Sequence, residues 1–128
     1  MSAGNDITTE AIRLAMSMTQ LRADLASQNI AKASTPGAQA TRLDFGTSQG
    51  LLDQLAATPA GAEGDLLAAL SDATGRPAAA EYHEAPGTAI NLDEEVADMA
   101  SASLRYQSLT ESLNRQFGLM RLAISGKN

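Results

Sequence analysis

Apolar positions near the start of the chain recur at coiled-coil spacing. Ile7, Ala11, Leu14, Met18, Leu21 and Leu25 follow gaps of 4, 3, 4, 3 and 4. That stripe predicts a helix from Asp6 to about Ala33. Its register next meets Gln28, so the seam covers fewer than three heptads, while Glu10, Arg13, Arg22 and Asp24 take the opposite face. A lone helix with so narrow a stripe is marginal in water, because most helical stability in proteins comes from packing the apolar face. It needs a mate.

The last third of the chain offers one. From Leu92, the residues Val96, Met99, Ser103, Tyr106, Thr110, Leu113, Phe117, Met120 and Ile124 alternate gaps of 4 and 3 without a break. Asn91 is placed to cap this helix, with Glu94 three residues on and Asp93, Glu94 and Glu95 at the positive end of its dipole. Gly126-Lys127 marks its stop, and Arg115 and Arg121 lie toward the negative end. Two seams predict an intramolecular antiparallel or splayed pair. Ile12, Met16, Leu104, Leu119 and Leu122 fall off the seams, which predicts a second contact face covered by a neighbouring molecule.

All four Pro and seven of the ten Gly lie between Pro36 and Gly87, so the two ends are nearly free of helix breakers. The expected organisation is an N-terminal helix and turn segment over 1–45, an Ala/Gly/Pro-rich middle over 46–90 and a C-terminal helix over 91–128, with the ends forming one domain. In the middle, short helices are expected at Leu51 to Ala57 and Asp65 to Ala73, with turns at Gly75-Arg76-Pro77 and Ala85-Pro86-Gly87. The middle lacks the bulk for an independent core and reads as a loop-rich region. The expected fold class is mainly α.

Composition sharpens this. Of 128 residues, 44% are hydrophobic, but 25 of those 56 are Ala, with one Val, two Phe, two Tyr and no Trp. Ala favours helix and carries little burial energy, and the scarcity of β-branched and aromatic side chains argues against an all-β or doubly wound α/β fold. A net charge of −6 without a basic cluster argues against nucleic acid as a partner. The absence of Cys excludes disulfides and thiolate metal sites. Met1 to Asp6 lacks a basic stretch followed by an apolar run, so no cleaved secretory signal is expected.

Candidate chemistry is thin. His83 is the only His and sits between Glu81, Tyr82 and Glu84, with no second His or Cys to complete a metal set. No Ser or Thr has a nearby His base, and Gly61 and Gly64 are not followed by the Gly-Lys-Ser/Thr of a phosphate loop. No enzyme, cofactor, metal site or small-molecule substrate is expected.

One stretch is more specific. Asn29-Ile30-Ala31-Lys32-Ala33-Ser34-Thr35-Pro36-Gly37 reads as a helix end entering a type II turn, with Pro36 second and Gly37 at the third, positive-φ position; the chain after it should run extended through Leu43 and Phe45. It resembles the N-terminal signature of bacterial flagellar axial proteins, roughly Asn-Ile-Ala-Asn-x-x-Thr-Pro-Gly-Tyr and then a Phe. Asn29, Ile30, Ala31, Thr35, Pro36, Gly37 and Phe45 match, while Lys32 replaces the second Asn and Ala38 the Tyr. Leu104-Arg105-Tyr106-Gln107-Ser108-Leu109-Thr110 and Phe117-Gly118-Leu119-Met120-Arg121-Leu122-Ala123-Ile124 look like the C-terminal helix of the basal-body rod proteins, and the short length fits the proximal rod. The resemblance covers about 65 to 75 residues at the two ends.

The resemblance implies terminal helices paired as a coiled-coil hairpin, the inner-layer domain of an axial subunit, and export by the flagellar type III apparatus without a cleaved signal peptide, to the periplasmic side of the inner membrane. Implied partners are other copies of the chain, FlgC-like rod proteins, a FliE-like adaptor, the MS ring and the export apparatus. Leu14, Met18, Leu21, Leu25, Met99, Tyr106, Leu113, Phe117 and Met120 are then expected to pair the helices. Asn29, Ile30, Thr35, Pro36, Gly37, Phe45, Leu104, Leu119 and Leu122 are expected at subunit contacts. A helical type III export chaperone or adaptor is the alternative class, since it would share the seams but has no reason to carry the Thr-Pro-Gly turn.

Overall fold

A computed structural model describes residues 3–44, 46–58, 64–75 and 81–126. In chain order these form α1 (Ala3–Lys32), β1 (Gln39–Asp44), α2 (Gly46–Ala57), α3 (Gly64–Gly75), β2 (Glu81–Ala89) and α4 (Leu92–Ser125). The molecule is mainly helical, with long N- and C-terminal helices, about 45 and 51 Å at 1.5 Å per residue, packed on each other. No helix among the described residues is long and apolar enough to cross a membrane.

The helix ends follow local chemistry. Asn91 caps α4 as its side-chain oxygen accepts from the backbone N–H groups of Asp93 and Glu94. Past α1, Ala38 donates its N–H to the Thr35 carbonyl at 3.2 Å, and Gly37 has φ +78°. Thr35 to Ala38 is therefore the expected type II turn. An added Cβ on Gly37 would meet nothing within 4 Å, so the turn requires glycine for its backbone conformation and not for space.

The turn delivers β1 to an antiparallel pairing with β2, in the register Thr41↔Glu84, Arg42↔His83, Leu43↔Tyr82 and Asp44↔Glu81. The pairing resumes at Gln39↔Ala89 after a break, and Ala85-Pro86-Gly87 falls on the longer side of that break. Pro86 has no N–H for a ladder, so an irregularity is where a strand tolerates it. This strand stands where a turn was expected. The middle segment is not loop-rich among its described residues: α2 and α3 contain both expected short helices, and β2 completes the hairpin.

The core shows what those helices do. Ile7, Leu14 and Met18 of α1 are buried in one cluster with Leu66, Leu70 and Ala73 of α3, and Ala11, Leu21, Leu43, Leu51, Leu52 and Leu55 pack against it. Leu66, Leu70 and Ala73 are spaced 4 and 3 apart, the stripe of an amphipathic helix. Full burial of Leu70 is worth about 1.5–3 kcal/mol. The cluster contains no described residue of α4. The seam of α1 thus meets α3 as well as α4, a partner in the middle of the chain that the expectation for Leu14, Met18 and Leu21 did not include.

The α1–α4 pair is antiparallel. Leu25 and Asn29 share a cleft with Glu95 and Ala102, Met18 shares one with Leu109, and Asp6 and Glu10 share one with Phe117 and Met120. From the α1 side, Leu25, Ala26 and Thr19 are buried along this contact, and the Thr19 hydroxyl donates to the Ala15 carbonyl at 2.8 Å.

On α4 the covered face is rotated from the apolar seam. Met99, Leu113 and Met120 are half-buried as expected, but the alternate positions are Glu95, Ala102, Leu109 and Gln116 in place of Val96, Ser103, Thr110 and Phe117. Of that second set only Thr110 is even half-buried. The shift is about 50°, half the angle between successive residues. Ala102 opposite Ala26 permits close approach, and Glu95 is drawn inward by a cation on β1.

Candidate subunit interface and its clasp

The residues that carry the sequence signature do two different things. Asn29, expected at a subunit contact, is fully buried and works within the chain. Its Nδ2 donates to the Thr41 carbonyl at 3.1 Å, and its Oδ1 accepts from the Thr41 N–H at 2.9 Å. A carboxamide offers one donor and one acceptor side by side, which is what one residue on a strand edge presents. Asn29 thereby acts as a one-residue neighbouring strand and fixes β1 to the last turn of α1. Lys32 joins the same clasp by donating Nζ to Thr41 Oγ1 at 2.8 Å.

One residue further along β1, Arg42 donates Nη1 to Glu95 Oε1 at 2.9 Å. Glu95 is 1% exposed and Arg42 one-third exposed, so a carboxylate in the first turn of α4 is buried on a cation that is still partly in water. Thr41, Arg42, Glu95 and Ala102 were not among the expected site residues. Arg42 lies inside the signature stretch, but Glu95 has a sufficient reading as helix N-terminal charge, and no periodicity joins residues 53 apart in the chain.

The rest of the expected contact residues divide by exposure. Thr35, Pro36 and Gly37 form an exposed turn, and Ile30 is half-buried. Phe45 lies outside the described residues. Leu104, Leu119 and Leu122 are 66%, 58% and 67% exposed, and Leu92, Val96 and Ile124 extend the apolar surface along α4. Leu104 also lines an open groove of about 470 Å³ with Met18 of α1 and Leu52 of α2. Of the residues expected to pair the helices, Leu25 is buried and faces α4 through a shared cleft, while Tyr106 and Phe117 remain 39% and 37% exposed.

Within the described residues no group of three or more His, Asp or Glu is placed to hold a metal ion. The backbone of His83 pairs with Arg42 in the hairpin. No protein-family model, curated protein or solved structure matches the chain.

Proposed function

We propose that this chain is a structural subunit of the proximal rod of the bacterial flagellar basal body, similar to FlgB. In that role it would join the MS ring and export apparatus to the rest of the rod, transmit torque and leave a path for exported proteins. The observation that carries the reading is the type II turn at Thr35 to Ala38, reached from a terminal helix that ends Asn29-Ile30-Ala31 and clasped back onto that helix by Asn29. The exposed apolar side chains of α4 support it, since a subunit that is complete only among copies of itself and FlgC-like or FliE-like neighbours needs uncovered apolar surface. In the assembly, the terminal helices would form the coiled-coil inner layer, with Tyr106 and Phe117 covered there.

Deleting the gene in a flagellated host tests this. The expected result is an MS ring and export gate without a rod, and loss of motility; a complete rod would sink the proposal. Phe117→Asp should likewise block assembly without stopping synthesis. The helical export chaperone or adaptor remains the second reading because the α1–α3 core closes within one chain. A chaperone would be a folded dimer bound to one export substrate, and its deletion would deplete that substrate while the rod formed. The related rod protein FlgC is separated by which rod layer is missing.

A further inference from the structure

The core of the molecule and its C-terminal helix are held by different forces. Ile7, Leu14, Met18, Leu66 and Leu70 form one buried cluster that contains no described residue of α4. On α4 the fully buried residues are Glu95 and Ala102, one charged and one small. Leu92, Val96, Leu104, Leu119, Leu122 and Ile124 are each about half exposed or more, and Met99, Leu109, Leu113 and Met120 are only half-buried, so the apolar contact that α4 makes along α1 is shallower than the α1–α3 core. The backbone bonds of a helix are local, and the Asn91 cap belongs to α4 itself, so α4 can leave with its hydrogen bonds intact.

Against this stands a continuous polar chain. Asn29 on α1 holds Thr41, and the next residue, Arg42, holds Glu95 on α4. We propose that α4 is a separable arm and that the Arg42–Glu95 pair, braced by Asn29, is the latch that keeps it on the body. When the arm opens, both ions regain water. When it is closed, Glu95 is buried and depends on Arg42 for compensation. The latch therefore lets the amino end of α4 stay registered on the body while its apolar side chains remain free for a neighbour. The inference stands on the geometry whether or not the rod reading holds.

Amide hydrogen exchange of the full chain, read by mass spectrometry, tests it. In the parent protein, α4 should exchange faster than α1 and α3, yet slower than an unstructured chain. Arg42→Met leaves a buried carboxylate without its cation, and should speed exchange across α4 on the order of 100-fold while α1 and α3 keep their protection. Glu95→Gln, which retains an acceptor, should act in the same direction and less strongly. The exchanged pair, Arg42→Glu with Glu95→Arg, should restore most of the protection. Unchanged exchange in α4, equal acceleration in α1 and α3, or a parent α4 as fast as unfolded chain would each overturn the latch.

Discussion

Replacing Asn29 tests the central piece of local architecture. In an antiparallel strand the N–H and C=O of one residue point to the same side, so Thr41, whose two groups both meet Asn29, turns them away from β2. Asn29→Ala would remove both partners at a site where Asn29 itself is 0% exposed. Each hydrogen bond contributes about 1 kcal/mol net, and a polar group left unsatisfied in a buried place costs about 1–3 kcal/mol. Water can reach half-buried Thr41 in part, so the expected loss is about 2–3 kcal/mol. At this size that lowers the melting temperature by roughly 10 °C. Asn29→Asp is the sharper probe. A carboxylate still accepts from the Thr41 N–H, but it sets an acceptor against the Thr41 carbonyl, so it should be no better than Ala despite its closer shape. Urea denaturation followed by circular dichroism gives the stability change, and exchange of the Thr41 amide locates it. A change under about 0.5 kcal/mol in both variants, with the Thr41 amide still protected, would refute the clasp.

Other substitutions separate the remaining contributions. Gly37→Ala should cost about 1–2 kcal/mol in equilibrium denaturation although its Cβ would enter open space, because φ +78° is unfavourable for any side chain; Gly37→Asn should cost less. Leu70→Ala, at a fully buried position of α3, should lose about 2–5 kcal/mol, which would confirm that the middle of the chain belongs to the core. Leu122→Ala, at a 67% exposed position, should change the stability of the isolated chain by less than about 0.5 kcal/mol. The same change combined with Leu119→Ala should weaken assembly in sedimentation or electron microscopy, and unaltered assembly would remove those two leucines from the interface.

The Arg42–Glu95 pair should not be read as a large store of stability. Burying a carboxylate costs several kcal/mol, and its ion pair with Arg42 roughly offsets that cost, so the closed arm depends on Arg42 more than it gains from it. The pair also sets geometry. By drawing Glu95 under β1, it contributes to turning the face of α4 that α1 covers, and Val96 and Phe117 are left outside.

Local chemistry was legible from residue order alone. The two terminal helices, the Asn91 cap, the Thr35 to Ala38 turn and the short helices around Leu52 and Leu70 follow from period, propensity and turn geometry, which act over a few residues. The seam of α1 was legible as a buried stripe as well. Its partner was not, because a stripe of Ile, Leu and Met at 4 and 3 spacing fits any helix with a similar stripe, and both α3 and α4 supplied one. Tertiary packing used both: α3 buries Ile7 and Leu14 in the core, and α4 runs along α1 past Leu25, Ala26 and Thr19. The choice of face on α4 and the role of Asn29 were set the same way, by groups far apart in the chain. A hydrogen bond from Asn29 to Thr41 and an ion pair from Arg42 to Glu95 depend on positions that only the folded backbone brings together.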